Sequence, residues 1–214
     1  MHFEILVEGQ AELTALSILV PKILGEYDNP HTWKIHKHRG IGRIPDDPMQ
    51  TPNPKDTTLL HQLPAKLRAY SKAPNTNRAI IVLLDLDDKD INVFSQELRS
   101  LLALCDGDFE ANFAFAIEEL EAWYLGDRSA LISFNPDIRL NTLKDYVQDS
   151  ICGTWEMLAR ADDPTVLSQK KRGRHSLDKK KEWSKKIPPH MDVDSNQSPS
   201  FNKFVNCLRE HTAA

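Results

Sequence analysis

The chain of 214 residues has only three cysteines, Cys105, Cys152 and Cys207, far apart and outside any Cys-x-x-Cys pair. This excludes a disulfide framework and a cysteine zinc site, and it fits reduced thiols in a cytoplasmic protein. No apolar run approaches the ~20 residues that cross a bilayer, so no membrane role is expected. Residues 1–8 include Glu4 and no basic stretch, unlike a signal peptide. No G-x-x-x-x-G-K-[ST] occurs, so any NTP-driven step needs a partner. Ser129, Ser176 and the cysteines lack a nucleophile elbow or a base partner, which leaves nucleophilic catalysis unsupported. His36 and His38 have no evident third zinc ligand and read as polar surface.

What is present is an ordinary globular composition, 40% hydrophobic and 27% charged, with a net charge of −4. The average hides an asymmetry. Residues 168–187 (SQKKRGRHSLDKKKEWSKKI) hold nine Lys/Arg against Asp178 and Glu182, a net +7, so the remainder carries −11. An acidic body joined to a basic segment suggests a metal-binding centre beside a phosphate-binding rim, or more plainly a solvated helix face.

Hydrophobic periodicity places four strands between helices. Strands are expected at His2–Glu8, Thr32–His38 (an edge strand), Arg78–Asp85 and Asn112–Glu118. Helices are expected at Ala11–Leu24, Leu59–Lys72 and Asn92–Leu104, with a further helix running through Glu121, Trp123 and Leu125. Residues 39–55, with four prolines and two glycines, read as a loop that is mobile or wraps an edge. The alternation predicts an α/β fold: a mainly parallel, Rossmann-like sheet of about four strands flanked by helices, joined by right-handed crossovers. After about residue 127 the rhythm stops. Residues 128–214 read as a helical and loop extension with a helix at Leu143–Ala161, the basic segment, turns over Pro188–Pro199 and a short helix at Phe201–His211.

Three of the four strands end in acids: Glu8; then Asp85, Asp87 and Asp88; then Glu118, Glu119 and Glu121. Ligands of open parallel sheets bind beyond the carboxyl ends of the strands, so three segments deliver carboxylates to one edge. Their mutual repulsion calls for a cation, and oxygen-only ligands favour Mg²⁺, Mn²⁺ or Ca²⁺. If the third strand extends far enough, Asp85 and Asp87 face the same way. Gly9 would let the chain turn sharply beside Glu8. Glu12 sits in a first helical turn, where the helix dipole also accounts for an acid. Asp88 and Asp90 read as a polar turn before the next helix. Near position 120, Glu119 and Glu121 are favoured over Glu118.

Val7-Glu8-Gly9-Gln-Ala-Glu12 resembles the V-E-G-x-x-[DE] signature of TOPRIM domains, shared by topoisomerases, primases, M5-type maturases and OLD nucleases. Asp85-Leu-Asp87 after an apolar strand resembles their D-x-D motif, and the likeness covers about residues 1–127. Ile117–Leu125 and Ser198–Phe204 resemble a small stand-alone TOPRIM-like bacterial family encoded beside SMC/OLD-type ATPases, in settings suggestive of phage defence. The resemblance implies a TOPRIM-like catalytic domain over 1–127 and a Mg²⁺- or Mn²⁺-dependent nuclease with one or two ions. Glu8 would act as metal ligand or general acid/base, Asp85 and Asp87 would bind metal, Glu12 is a further candidate ligand, and Glu119 or Glu121 would complete a second site. Lys170, Lys171, Arg172, Arg174, Lys179 and Lys180 would grip nucleic-acid phosphates, and Lys181 would enter the active site. The implied partners are DNA or RNA, an ATPase, and a second copy in a homodimer. There are departures: no glycine follows the D-x-D, no zinc-binding cysteine set is present, and no domain carries a nucleophilic tyrosine. Tyr27, Tyr70, Tyr124 and Tyr146 read as packing residues. A non-catalytic partner module of an ATPase is the alternative, and a phosphatase or phosphotransferase a weaker one, since Lys89 stands where such enzymes place Thr or Val.

Overall fold

The computed structural model describes residues 1–73, 77–106, 109–168 and 174–212. Four strands, β1 (His2–Val7), β2 (Thr32–Lys37), β3 (Arg78–Asp85) and β4 (Ala111–Ala116), form one sheet in the order β2-β1-β3-β4. Every pairing is parallel, with Ile5 opposite Ile35 and Ile81, and Asp85 opposite Ala116. β2 is an edge strand, as its alternating polarity predicts.

Side chains alternate across this sheet because the strand period is two. Phe3, Ile5 and Val7, with Ala79, Ile81 and Leu83, face α1 (Gln10–Leu24). Leu6, Ile80, Val82 and Leu84 face α2 (Leu59–Lys72) and α3 (Ile91–Leu102). Asp90 caps α3, accepting from the amides of Asn92 and Val93 at 2.8 and 3.0 Å; the polar turn read from the sequence is therefore a helix cap. The proline-rich loop lies against α2: Leu59 and Leu60 donate to the carbonyls of Gly40 and Ile41, and Arg68 donates to Pro48 O.

The extension packs into the same core as the α1 face of the sheet. It comprises α4 (Glu121–Leu125), α5 (Arg128–Phe134), α6 (Thr154–Asp162), α7 (Arg174–Lys186) and α8 (Pro199–Glu210). Trp155, Leu158, Trp183, Phe201 and Phe204 share a cluster with Phe3, Ile5 and Leu16, so the chain on either side of residue 127 contributes to one hydrophobic interior. Each fully buried large apolar side chain there contributes ~1.5–3 kcal/mol.

The single helix expected over Leu143–Ala161 is instead a 3₁₀ turn at Leu140–Leu143, irregular chain, and α6. Asp149 and Gly153 take left-handed conformations, φ 57° and 80°. The amides of Gly153 and Thr154 are bound by the Glu118 carboxylate at 2.8 Å each, which fixes the start of α6 there.

Candidate functional site

In this sheet the chain moves from β1 outward to β2 on one side and then returns to place β3 on the other. The direction of winding therefore reverses between β1 and β3, the position where parallel sheets open a crevice beyond their strand ends. Glu8 follows β1 directly, and Asp85 is the last residue of β3. Glu8 Oε1 accepts the Asp85 backbone N–H at 2.9 Å, locking the two strand ends together. Asp85 continues the side-chain series of Ala79, Ile81 and Leu83, so it faces α1 and Glu12 in that helix's first turn. Glu119 and Glu121 come in from the chain after β4.

Five carboxylates thus share one space, and burial raises Glu8, Glu12, Asp85 and Glu121 alike. Burial pushes Glu8 up to about 7, with Glu12 and Asp87 adding to the rise. Burial likewise raises Glu121 to about 7, reinforced by Glu119 and Glu12. Glu12 is also raised, and Asp85 is held well above the carboxylate range by burial and by the charges of Glu12 and Glu8. Asp85 remains partly accessible as a residue, yet its Oδ1 is closed off from solvent and has no hydrogen-bond partner among the described residues.

One cation enters. Lys180 of α7 lies 2.7 Å from Glu119 Oε1 and 3.9 Å from Glu121 Oε2. Burial alone would lower its ammonium, but Glu121 and Glu119 outweigh that and raise it. The sequence expectation put Lys181 here. Lys180 reaches inward because it shares the α7 face of buried Trp183 and Ile187, at spacings of three and seven. Lys181 is a helical step away, 63% exposed and 3.9 Å from Asp178. Both lysines line a cleft of about 230 Å³ with Glu8, Gly9, Glu12 and Gly40.

Other expected residues are arranged differently. β3 ends at Asp85, and Asp87 adopts a left-handed φ of 50°, so the alternation that would align the two side chains is broken. The Asp87 side chain is 49% exposed and pairs with Lys89 at 3.1 Å. Its amide binds Glu118 O at 2.8 Å, and Glu118 has a φ of 61°. Two left-handed non-glycine residues therefore sit side by side at the strand ends, where strain accompanies functional geometry. Lys179 turns to Asp162 and Glu182, both at 3.0 Å. Lys170, Lys171 and Arg172, and the side chain of Arg174, lie outside the described residues.

Tyr124, read from sequence as a packing residue, has a buried hydroxyl without a hydrogen-bond partner. Burial and the nearby Glu121, Glu12 and Asp85 hold its phenol far above its usual range. Its spacing of three from Glu121 on α4 was the available signal.

Among the described residues the donor set is all oxygen, acids outnumber ammonium groups, and Asp85 Oδ1 has no hydrogen-bond partner; such chemistry fits a hard divalent cation. Among the described residues, however, no three His, Cys, Asp or Glu side chains stand ready-made to hold one.

An acid-lined winding reversal in a parallel α/β sheet defines the class of protein. A model of the family "Domain of unknown function (DUF4276)" matches residues 7–209, nearly the whole chain, and the protein belongs to that family. No curated protein and no solved structure matches it.

Proposed function

We propose that this protein is a Mg²⁺- or Mn²⁺-dependent phosphodiesterase of the TOPRIM nuclease type, cleaving DNA or RNA in the cytoplasm. By its resemblance it would serve as the effector of a defence pair with an SMC/OLD-type ATPase. The observation that carries this reading is the meeting of Glu8, Glu12, Asp85, Glu119 and Glu121 at the winding reversal, with the Lys180 ammonium beside them and one Asp85 oxygen that has no hydrogen-bond partner among the described residues.

Asp85, Glu12 and Glu121 would hold the ion, with Glu119 and Asp87 at the margin. The bound ion would supply charge neutralisation at phosphate oxygens and a more acidic water. Glu8, titrating near 7, can take up or release a proton at neutral pH beside the phosphate. Lys180 supplies counter-charge to Glu119 and Glu121 before metal binds, and on displacement it is placed to meet a phosphate oxygen.

The test is cleavage of plasmid DNA, single-stranded DNA and total tRNA in Mg²⁺, Mn²⁺ or EDTA, comparing the protein with Asp85→Asn. Metal-dependent cutting that is lost in Asp85→Asn is expected. One observation favours a second reading, a non-catalytic module for an ATPase: Lys180 is already seated among the acids, and among the described residues no three carboxylates are arranged to hold a metal ion. No cutting of any substrate in either metal would overturn the nuclease and leave that module.

A further inference from the structure

Beyond the acid cluster, on the β2 side, the sheet edge carries the opposite charge. A cavity of about 510 Å³ is lined by His36, Lys37, His38, Arg39, Thr57, Gln62 and Lys66. Three of these are permanent cations, two are imidazoles, and none is a carboxylate. We propose that this pocket is a phosphate-binding subsite for the nucleic-acid backbone, seating phosphates next to the one at the acid cluster.

The local construction explains why the cations are left over. His36 is engaged by Glu4, the nearest acid, and His38 Nδ1 lies 2.8 Å from Val7 O. Arg39 is fixed through its backbone, donating to Thr57 O at 3.1 Å. Among the described residues neither Arg39 nor Lys66 has an ion-pair partner. Lys66 is partly buried on α2; desolvation lowers its ammonium, Glu4 opposes this, and Lys34 adds to it. A partly desolvated cation that faces a cavity without an ion-pair partner is stabilised by a bound anion.

The pocket adjoins the acid cleft through the chain and through one hydrogen bond. Gly40, next to Arg39, lines that cleft and donates its N–H to Glu8 O at 2.9 Å. Lys37 Nζ reaches Gln10 Oε1 at 2.6 Å, and Gln10 lines the same cleft. A polyanion crossing Glu8 would run from Lys181 on one bank to Lys37, Arg39 and Lys66 on the other. Lys37, Arg39 and Lys66 supply charge that matches phosphates rather than bases, so the subsite serves to position the backbone.

This inference rests on the reading of the acids as a phosphodiesterase centre, and two readouts keep the two ideas apart. The first is fluorescence anisotropy of a labelled single strand of about 16 nucleotides, DNA or RNA, in EDTA, with the full-length protein. The Arg39→Ala/Lys66→Ala double variant, its fold checked by circular dichroism, should bind ~10-fold more weakly. The slope of log affinity against log salt should flatten by roughly 1.4, because two phosphate contacts are lost. The second readout is Mg²⁺-dependent hydrolysis of bis(p-nitrophenyl) phosphate, too small to reach the pocket, which the double variant should retain. Unchanged affinity and slope in the double variant, or no binding of either strand by the unaltered protein, would overturn the subsite even if the small ester is cleaved. Loss of strand binding in the double variant, with the small ester untouched by the unaltered protein, would support the subsite and reject the catalytic reading instead.

Discussion

Gly9 has an extended backbone, φ −157° and ψ −161°, that any residue adopts, so the sharp turn expected there is not the reason for a glycine. A Cβ at this position would stand 3.1 Å from Glu12 Oε2. The glycine makes room for an acid. Gly9→Ala should leave the melting temperature within a few degrees, because Glu12 can swing aside, while weakening Mg²⁺ binding about tenfold by calorimetry. Glu8→Gln keeps the shape but removes the titrating group, and should lower the cleavage rate by ~10²–10⁴-fold. Lys180→Met removes an ammonium that Glu119 and Glu121 share. Its destabilisation in thermal melts should be larger at pH 8 than at pH 5.5, since Glu121, raised to about 7, is then ionised. Equal losses at both pH values would mean that the lysine contributes packing rather than charge.

Among the elements, the stretches Ile117–Leu125 and Ser198–Phe204 turn out to be one packing unit. The Trp123 ring lies 5.1 Å from the rings of Phe201 and Phe204, and its indole N–H donates to Ser200 Oγ at 3.0 Å. Asn196 donates to Trp123 O at 2.9 Å, and Ser198 caps α8. This unit holds α4, and with it Glu121 and Tyr124, against the strand ends. Gly126 closes the contact: a Cβ there would fall 2.2 Å from Asn196 Oδ1 and 2.8 Å from Ser198 N, a backbone atom that cannot move aside. Gly126→Ala should cost roughly 1–3 kcal/mol in denaturant unfolding and displace Glu121. A neutral result would show that the 196–198 segment yields freely. The strands and first three helices were legible because each carries an unbroken apolar period. The helix expected over 143–161 was not, because its interruption depends on Glu118, thirty-five residues before Gly153 in the chain.

For the molecule as a whole, the acid cluster sets the dependence of stability on pH. Glu8 and Glu121 titrate at about 7 in the fold against a reference of 4.5. As pH rises the unfolded chain releases these protons first, so the fold loses stability between about 4.5 and about 7 and levels off above. A divalent ion binds the ionised form, so Mg²⁺ should raise the melting temperature more at pH 8 than at pH 5.5. Equal shifts at both pH values, or none, would remove the cluster as the binding site.

The sequence by itself determined the α/β class, the parallel order of strand and helix, and the delivery of Glu8 and Asp85 to one sheet edge. Those follow from local periodicity and from the side-chain alternation of a strand, which need no knowledge of distant contacts. Tertiary structure alone decided that Lys180 enters while Lys181 stays at the rim, that Asp87 turns to Lys89, and that Glu118 caps α6. It also decided that Tyr124 meets the acids and that Arg39 and Lys66 face one cavity. Each of these depends on which face a helix presents after packing, or on which polar group is left without a local partner. Burial and long-range pairing settle both, and a one-dimensional pattern does not encode them.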